Sequence, residues 1–245
     1  MLSKAVEDVL LLQKRSQKPL AIILAGHNGS GKSTMWEERL ADYLQIPLIN
    51  ADRMMLSVLP EQTGDPPSLP DWATDIRDHD EGWMHVAQEG VQAFVAHAMG
   101  RKVPFAMETV FSEWRRVGGK IRSKVDLIRE MQKAGYFVLL LFVGLSTAQV
   151  SEARVKQRVE WGRGHSVDRG KIIARFPRTQ KAIKQAVTIA DAAILTDNSR
   201  LPEHAFTVCR IQVGRKVMYD IRAVSRRKIS PAIIKWLQIV CPRIK

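Results

Sequence analysis

Eight consecutive residues, Gly26-His27-Asn28-Gly29-Ser30-Gly31-Lys32-Ser33, have the types and spacing to hold a phosphate chain. Two glycines flank four residues and are followed by Lys and Ser, the pattern of a phosphate-binding loop. Successive backbone N–H groups can converge on a phosphate only through a tight turn, which glycine enters without a Cβ penalty. Lys32 then neutralises the β/γ oxygens, and Ser33 offers a hydroxyl to Mg2+. The expected contacts to ATP are Gly26, Asn28, Gly29, Ser30, Gly31, Lys32, Ser33 and Thr34, with Ser33 also on the metal.

A second group of residues could move a phosphoryl group. Transfer to a hydroxyl needs a carboxylate to orient the acceptor and take its proton, and cations over the transferred group. Asp52 follows the short apolar run Pro47-Leu48-Ile49-Asn50, and Glu108-Thr109 follows Pro104-Phe105-Ala106-Met107. Both carboxylates therefore sit at strand ends, where ligands gather in open α/β sheets. Asp52 is the expected catalytic carboxylate, although Asp there could equally cap the helix that starts near Arg53. Glu108 and Thr109 are expected to bind the acceptor, and Glu108 could hold magnesium through water. Arg154, Arg158, Arg163, Arg169, Arg175 and Arg178 surround the glycine-rich break Gly162-Arg163-Gly164-His165, the layout of a mobile lid.

These residues must be carried by strands alternating with helices, a parallel sheet wrapped by helices. Leu20–Ala25 reads as a buried strand and Thr34–Tyr43 as the helix that follows the loop. A long helix is expected over Glu81–Met99, with Val86, Gly90, Phe94 and Ala98 facing inward. A further helix is expected over Ile121–Ala134, closed by Gly135. Tyr136–Val143 is the most continuously apolar run and reads as the central strand. Thr147–Trp161 and Asp168–Thr188 read as two basic helices, and Ala192–Leu195 as the last parallel strand. Beyond Pro202 the pattern changes to a hairpin around Gly214-Arg215 and a terminal helix from Pro231. The expected organisation is a kinase domain over residues 1–200 with a small basic appendage over 201–245.

Composition narrows the setting. No apolar stretch approaches the roughly 20 residues that span a bilayer, and Met1–Lys18 reads as an amphipathic helix without a small-residue cleavage site. Cys209 and Cys241 lack metal-ligand spacing and read as reduced packing residues, so a cytoplasmic location is expected. The net charge of +13 is unevenly placed: residues 1–100 carry a net −6 and residues 101–245 a net +19. Such a positive half suits a polyanionic substrate, an acidic protein partner or nucleic acid. No recognisable nucleic-acid-binding motif accompanies the charge, and Trp114, Trp161 and Trp236 are scattered rather than interleaved with it.

Among phosphate-loop proteins, no Asn-Lys-x-Asp guanine reader or Leu-Ser-Gly-Gly signature is present, and the central strand ends in Gly144 rather than Asp-Glu. A kinase acting on a small acceptor with an alcohol group is what remains. The alternative is a kinase of nucleotides or of an RNA or DNA end, using the positive half to bind the strand. A non-catalytic ATP-binding module would need a damaged Lys32 or Asp52, and both are intact.

In their order, GHNGSGKST from Gly26, INAD ending in Asp52, METVFS from Met107, RVKQRVEWGRGHSV from Arg154 and TDNS from Thr196 resemble the zeta toxin family of P-loop kinases over residues 18–200. The resemblance implies an adenylate-kinase-like α/β fold, with ATP and Mg2+ as cofactors. It also implies phosphorylation of a nucleotide sugar, UDP-N-acetylglucosamine, and an antitoxin that obstructs the nucleotide site. By the same resemblance Asp52 is the catalytic carboxylate, Lys32 and Ser33 contact ATP and magnesium, and Glu108 with Thr109 touches the acceptor. Arg158 matches one lid arginine, and either Arg163 or Arg175 the second. The Pro60–Trp72 loop and the basic tail from Arg200 lie outside the family pattern, as does the direct adjacency of Glu108 and Thr109.

Overall fold

The structure is a computed structural model that describes residues 1–64, 68–161, 166–224 and 229–242. The chain begins with α1 (Leu2–Ser16), β1 (Leu20–Gly26), α2 (Lys32–Arg39) and α3 (Ala41–Leu44). It continues through β2 (Leu48–Ile49), α4 (Ala51–Ser57), α5 (Asp71–His79), α6 (Glu81–Arg101), β3 (Phe105–Thr109), β4 (Trp114–Val117) and β5 (Lys120–Ser123). The remaining elements are α7 (Val125–Lys133), β6 (Phe137–Gly144), α8 (Ala148–Glu160), α9 (Arg169–Ile189), β7 (Ala192–Asp197), β8 (Thr207–Val213), β9 (Lys216–Asp220), α10 (Ile221–Val224) and α11 (Pro231–Val240).

Seven strands form one sheet in the order β2-β3-β1-β6-β7-β8-β9, parallel from β2 to β7 and antiparallel beyond. Every residue of β1, β6 and β7 is buried, as expected of strands covered on both faces. Side chains alternate between two cores. Ala21, Ile23 and Ala25 join Phe142, Ile128 and Trp236 on one face; Leu20, Ile22 and Leu24 join Val6, Val9, Met35 and Trp36 on the other. The mixed α/β class with a mostly parallel, helix-flanked sheet is therefore as the sequence predicts.

Three local expectations are corrected. The helix after the phosphate loop starts at Lys32 and breaks at Leu40, whose φ of −128° leaves the helical region before α3. The buried face of α6 is Ala87, Val91 and Val95, one residue on from the expected stripe, and Val86 and Phe94 are exposed. Two members of that stripe do face inward: Met54 Cε of α4 lies 2.6 Å from where a Cβ on Gly90 would stand, and Ala98 packs on the core. The helix predicted from Ile121 begins only at Val125, because Ile121 pairs with Arg116 across the β4–β5 hairpin. Gly118-Gly119 turns that hairpin with φ of 55° and 76°, a two-residue turn signal that the sequence did carry.

The segment from residue 201 shares the core of the rest. β8 pairs with β7 from Ala192↔Val213 to Asp197↔Thr207, and Trp236 of α11 lies edge-on to Phe142 with centroids 5.7 Å apart. Its indole Nε1 donates to the buried Asp197 carboxylate at 2.9 Å. The Arg210 and Arg222 guanidinium groups both donate to Asp220, at 2.8 and 2.6 Å, and these bonds hold the Asp220 carboxyl below its ordinary range despite burial. Cys209 and Cys241 are free, buried thiols, and burial pushes the Cys241 thiol up to about 11, so neither is a reactive thiolate.

Candidate functional site

The sheet register brings the predicted residues to one edge. Pairing of Leu24↔Glu108, Ala25↔Thr109 and Gly26↔Val143 sets the end of β3 beside the start of the phosphate loop. The loop passes into α2 through Gly31, whose φ is +85° and whose absent Cβ would stand 2.7 Å from Asn198 Nδ2. Any side chain there would be strained twice over. No side chain caps α2, so the N–H groups of its first turn, through Thr34, face the loop's concavity as an anion site.

The loop's carbonyls are held from outside. Ser151 Oγ of α8 donates to Asn28 O at 2.6 Å, and Asn198 Nδ2, just after β7, donates to Ser30 O at 2.9 Å. Within the loop, Ser30 N donates to His27 O at 3.2 Å, closing the turn. Neither Ser151 nor Asn198 was singled out as a site residue from the sequence. Asn198 lies in the quoted TDNS segment, and Ser151 carries no sequence signal.

Lys32 lies at the centre. Its side chain is 8% exposed, and Nζ donates to His27 O at 3.1 Å and Gly26 O at 3.4 Å. It also lies 3.8 Å from Glu108 Oε1. Burial pushes its pKa down; the carboxylates of Glu108 and Asp52 oppose that, and the Arg158 guanidinium adds to it. Four predicted residues, Lys32, Asp52, Glu108 and Arg158, thus share one electrostatic site.

Glu108 receives Ser33 Oγ at 3.0 and 3.1 Å on its two oxygens, and Asn50 Nδ2 at 2.7 Å. A hydroxyl and a carboxylate in contact are the hard oxygen donors that a divalent cation prefers. Asn50 also corrects the reading of Asp52 as a helix cap. Asn50 is the N-cap of α4, with Oδ1 accepting from Asp52 N at 2.8 Å and Arg53 N at 3.2 Å. Asp52 stands in the first turn, its carboxylate not needed for capping. An Asn followed by a helical run is a recognised start signal, so sequence reasoning could have found it. Thr109 Oγ1 accepts from Phe111 N at 3.3 Å, shaping a turn in which the buried Phe111 holds a φ of 59°.

The arginines divide. Arg175 lines a crevice with His27, Asn28, Val110, Ser151 and Phe176, beside the phosphate loop. Arg154 is half-buried, its Cβ 3.1 Å from where a Cβ on Gly29 would stand, and burial lowers its pKa against the pull of Asp197. Arg169 is engaged with Glu152 at 2.9 Å, and Arg178 is exposed. Arg163 lies outside the described residues, as does the Gly162–His165 connection.

His27 is buried beside Lys32. Burial, aided by the Lys32 charge, pushes its imidazole down to about 3. The unfolded chain takes up a proton as pH falls below about 6.5, whereas the folded chain resists until about 3. Stability from this group is therefore present above pH 6.5 and lost as pH falls, by at most about 1.4 kcal/mol per pH unit. Urea unfolding at neutral pH and near pH 4.5 should show a smaller acid loss in His27→Phe than in the parent. Equal losses would dismiss this linkage.

With the geometry in hand, the comparisons are direct. A family model described as Zeta toxin matches residues 5–202. The chain belongs to the zeta toxin family. With that family it is a phosphotransferase. The family match includes most of α1 and stops short of β8, so the hairpin and α11 lie beyond it. Among solved structures, the chain is similar to the PezAT chromosomal toxin-antitoxin system of Streptococcus pneumoniae, with 14% identity and a TM-score of 0.53 over 97% of this chain and 87% of that one. It is similar also to AvrRxo1-ORF1:AvrRxo1-ORF2 with sulphate ions, with 12% identity and a TM-score of 0.61 over 100% of this chain and 71% of that one. The complex of the same pair with ATP gives 14% identity and a TM-score of 0.60 over the same shares. These superpositions show a shared fold. No curated protein matches the chain. Among the described residues, no helix is long and apolar enough to cross a membrane.

Proposed function

We propose that this zeta toxin family member transfers the γ-phosphate of ATP to a hydroxyl of a small molecule, a nucleotide sugar such as UDP-N-acetylglucosamine. In this reading it acts in the cytoplasm as the toxin of a toxin–antitoxin pair. The observation that carries the reading is the convergence of Lys32, Asp52, Glu108 and Arg158 at the strand edge beside an uncapped helix start. The two solved relatives support the partner and the nucleotide: one is titled a toxin-antitoxin system, and the other pair is described with ATP.

The residues present fit ATP and Mg2+. Lys32 and the first-turn N–H groups of α2, including Ser33 and Thr34, would hold the phosphates, with Gly26, Asn28, Gly29, Ser30 and Gly31 forming the cradle. Ser33 and Glu108 would hold the metal through their contacting oxygens. Bound ATP supplies the phosphoryl group. Asp52 orients the acceptor hydroxyl and takes its proton, while Glu108 and Thr109 line the acceptor's approach. Arg158, with Arg175 or Arg163, neutralises charge that develops during transfer, a task suited to the planar guanidinium.

The deciding experiment incubates the chain with labelled ATP and a panel of nucleotide sugars, nucleotides and oligonucleotides, and identifies products by mass. In parallel, the intact chain and Asp52→Asn are expressed in bacteria at equal abundance. Growth arrest with swelling, together with a phosphorylated nucleotide sugar in extracts, is expected from the intact chain only. Equal toxicity of both chains would reject this acceptor. A second reading, a kinase of nucleotides or of a nucleic-acid end, is favoured by the net +19 of residues 101–245, which suits a polyanionic strand. An oligonucleotide product in the panel would put that reading first.

A further inference from the structure

His27 stands apart from the other loop residues. It is 2% exposed, and neither ring nitrogen has a hydrogen-bond partner among the described residues. Its ring instead stacks on Phe176 of α9, with centroids 3.8 Å apart and planes 13° from parallel, and meets Phe142 of β6 edge-on at 5.7 Å. A buried imidazole used only for its faces is an expensive choice, since its unpartnered nitrogens must be desolvated. The cost points to a contact that matters.

The place of that contact along α9 gives it meaning. Pro177 lies inside α9, directly after Phe176. Proline has no N–H to donate and its ring crowds the preceding turn, so a helix is weakest at this point. The two halves of α9 are also anchored unequally. After Pro177 the helix buries Thr179, Gln180, Ala182, Ile183, Ala186 and Val187; before it, only Ile172 and Phe176. The later half is fixed in the core, and the earlier half, which carries Arg175 beside Asn28, is held by Ile172, Phe176 and two ion pairs with exposed lysine and arginine, Arg169–Glu152 and Lys171–Glu81.

We propose that the stack of His27 on Phe176 is the pivot that sets the first half of α9 against the phosphate loop, making His27 a positioning residue that acts through Arg175. His27 takes no part in proton transfer. Its faces fix the angle of a helix segment whose own hydrogen bonding is interrupted, so that a cation is delivered to the loop. The inference rests on the phosphotransferase reading for its kinetic consequence, but the contact can be tested without it.

Two measurements test the pivot. In the nucleotide-free chain, hydrogen–deuterium exchange should be at least about tenfold faster over residues 169–176 in His27→Ala than in the parent. Residues 178–189 and the sheet should be unchanged, and His27→Phe, which keeps a stacking ring, should restore protection. Uniform acceleration, or none, would overturn the proposal. The second measurement is ATP turnover, with the slow hydrolysis of ATP by water as the readout where no acceptor is supplied. His27→Ala should lower kcat about tenfold with ATP affinity within about threefold of the parent, and His27→Phe should recover most of it. The double variant His27→Ala/Arg175→Ala should be no slower than Arg175→Ala alone. Multiplicative losses in the double variant would show that His27 does not act through Arg175. If the parent neither binds nor turns over ATP, the phosphotransferase site reading fails by itself, and the exchange experiment still decides the pivot.

Discussion

Lys32→Ala is expected to leave a folded protein without measurable turnover, a loss of about 10³-fold or more, with ATP binding greatly weakened. The amine is the one lysine charge inside the glycine cradle, and it is already desolvated: burial lowers its pKa while Glu108 and Asp52 hold its proton. Removing it leaves phosphate charge facing backbone dipoles with no ammonium. It also takes from Glu108, whose Oε1 lies 3.8 Å from Nζ, a cation that balances its charge. Isothermal titration with ATP and a product assay check both consequences. Turnover within a few-fold of the parent would exclude this loop as the working site.

Asp52→Asn should lower phosphoryl transfer by about 10²-fold or more while ATP affinity stays close to the parent value. The structure sharpens this expectation. Because Asn50 caps α4, with two N–H groups bound to its Oδ1, the helix does not depend on the Asp52 carboxylate. Thermal unfolding of the variant should therefore lie within a few degrees of the parent, since asparagine keeps the size of the side chain and the Asn50 cap is untouched. A variant that melts early yet turns over at the parental rate would return Asp52 to a structural role.

What the sequence made legible, and what it did not, follows from the kind of force involved. The phosphate loop, Asp52 and Glu108-Thr109 could be placed because strand ends and glycine spacing are local properties of the chain. The register that brings Glu108 level with Leu24 agrees with that placement. The roles of Ser151 and Asn198 were not legible. Each holds the loop through one bond to a backbone carbonyl, and any short polar side chain arriving at that point could do the same. The expected inward face of α6 is found only in part: the apolar stripe is wide enough to admit two faces, so Gly90 and Ala98 face inward as expected while Val86 and Phe94 do not. His27 was hidden by its own context, since inside a phosphate-loop motif its side chain reads as a variable position. Its stacking on Phe176 joins residues far apart in the chain.

The pairing of β8 with β7 carries a consequence for how this protein can be cut or spliced. The family match ends at residue 202, five residues before β8 begins. A chain trimmed at that limit would bare the backbone edge of β7, a buried strand of six residues beginning Ala192-Ala193-Ile194-Leu195, as an unprotected edge, a template for aggregation. It would also strip the buried Asp197 of its indole donor. The border of ancestry thus runs through the middle of a folding unit. The β8–β9 hairpin closes a seam that would otherwise be open to pairing with another chain.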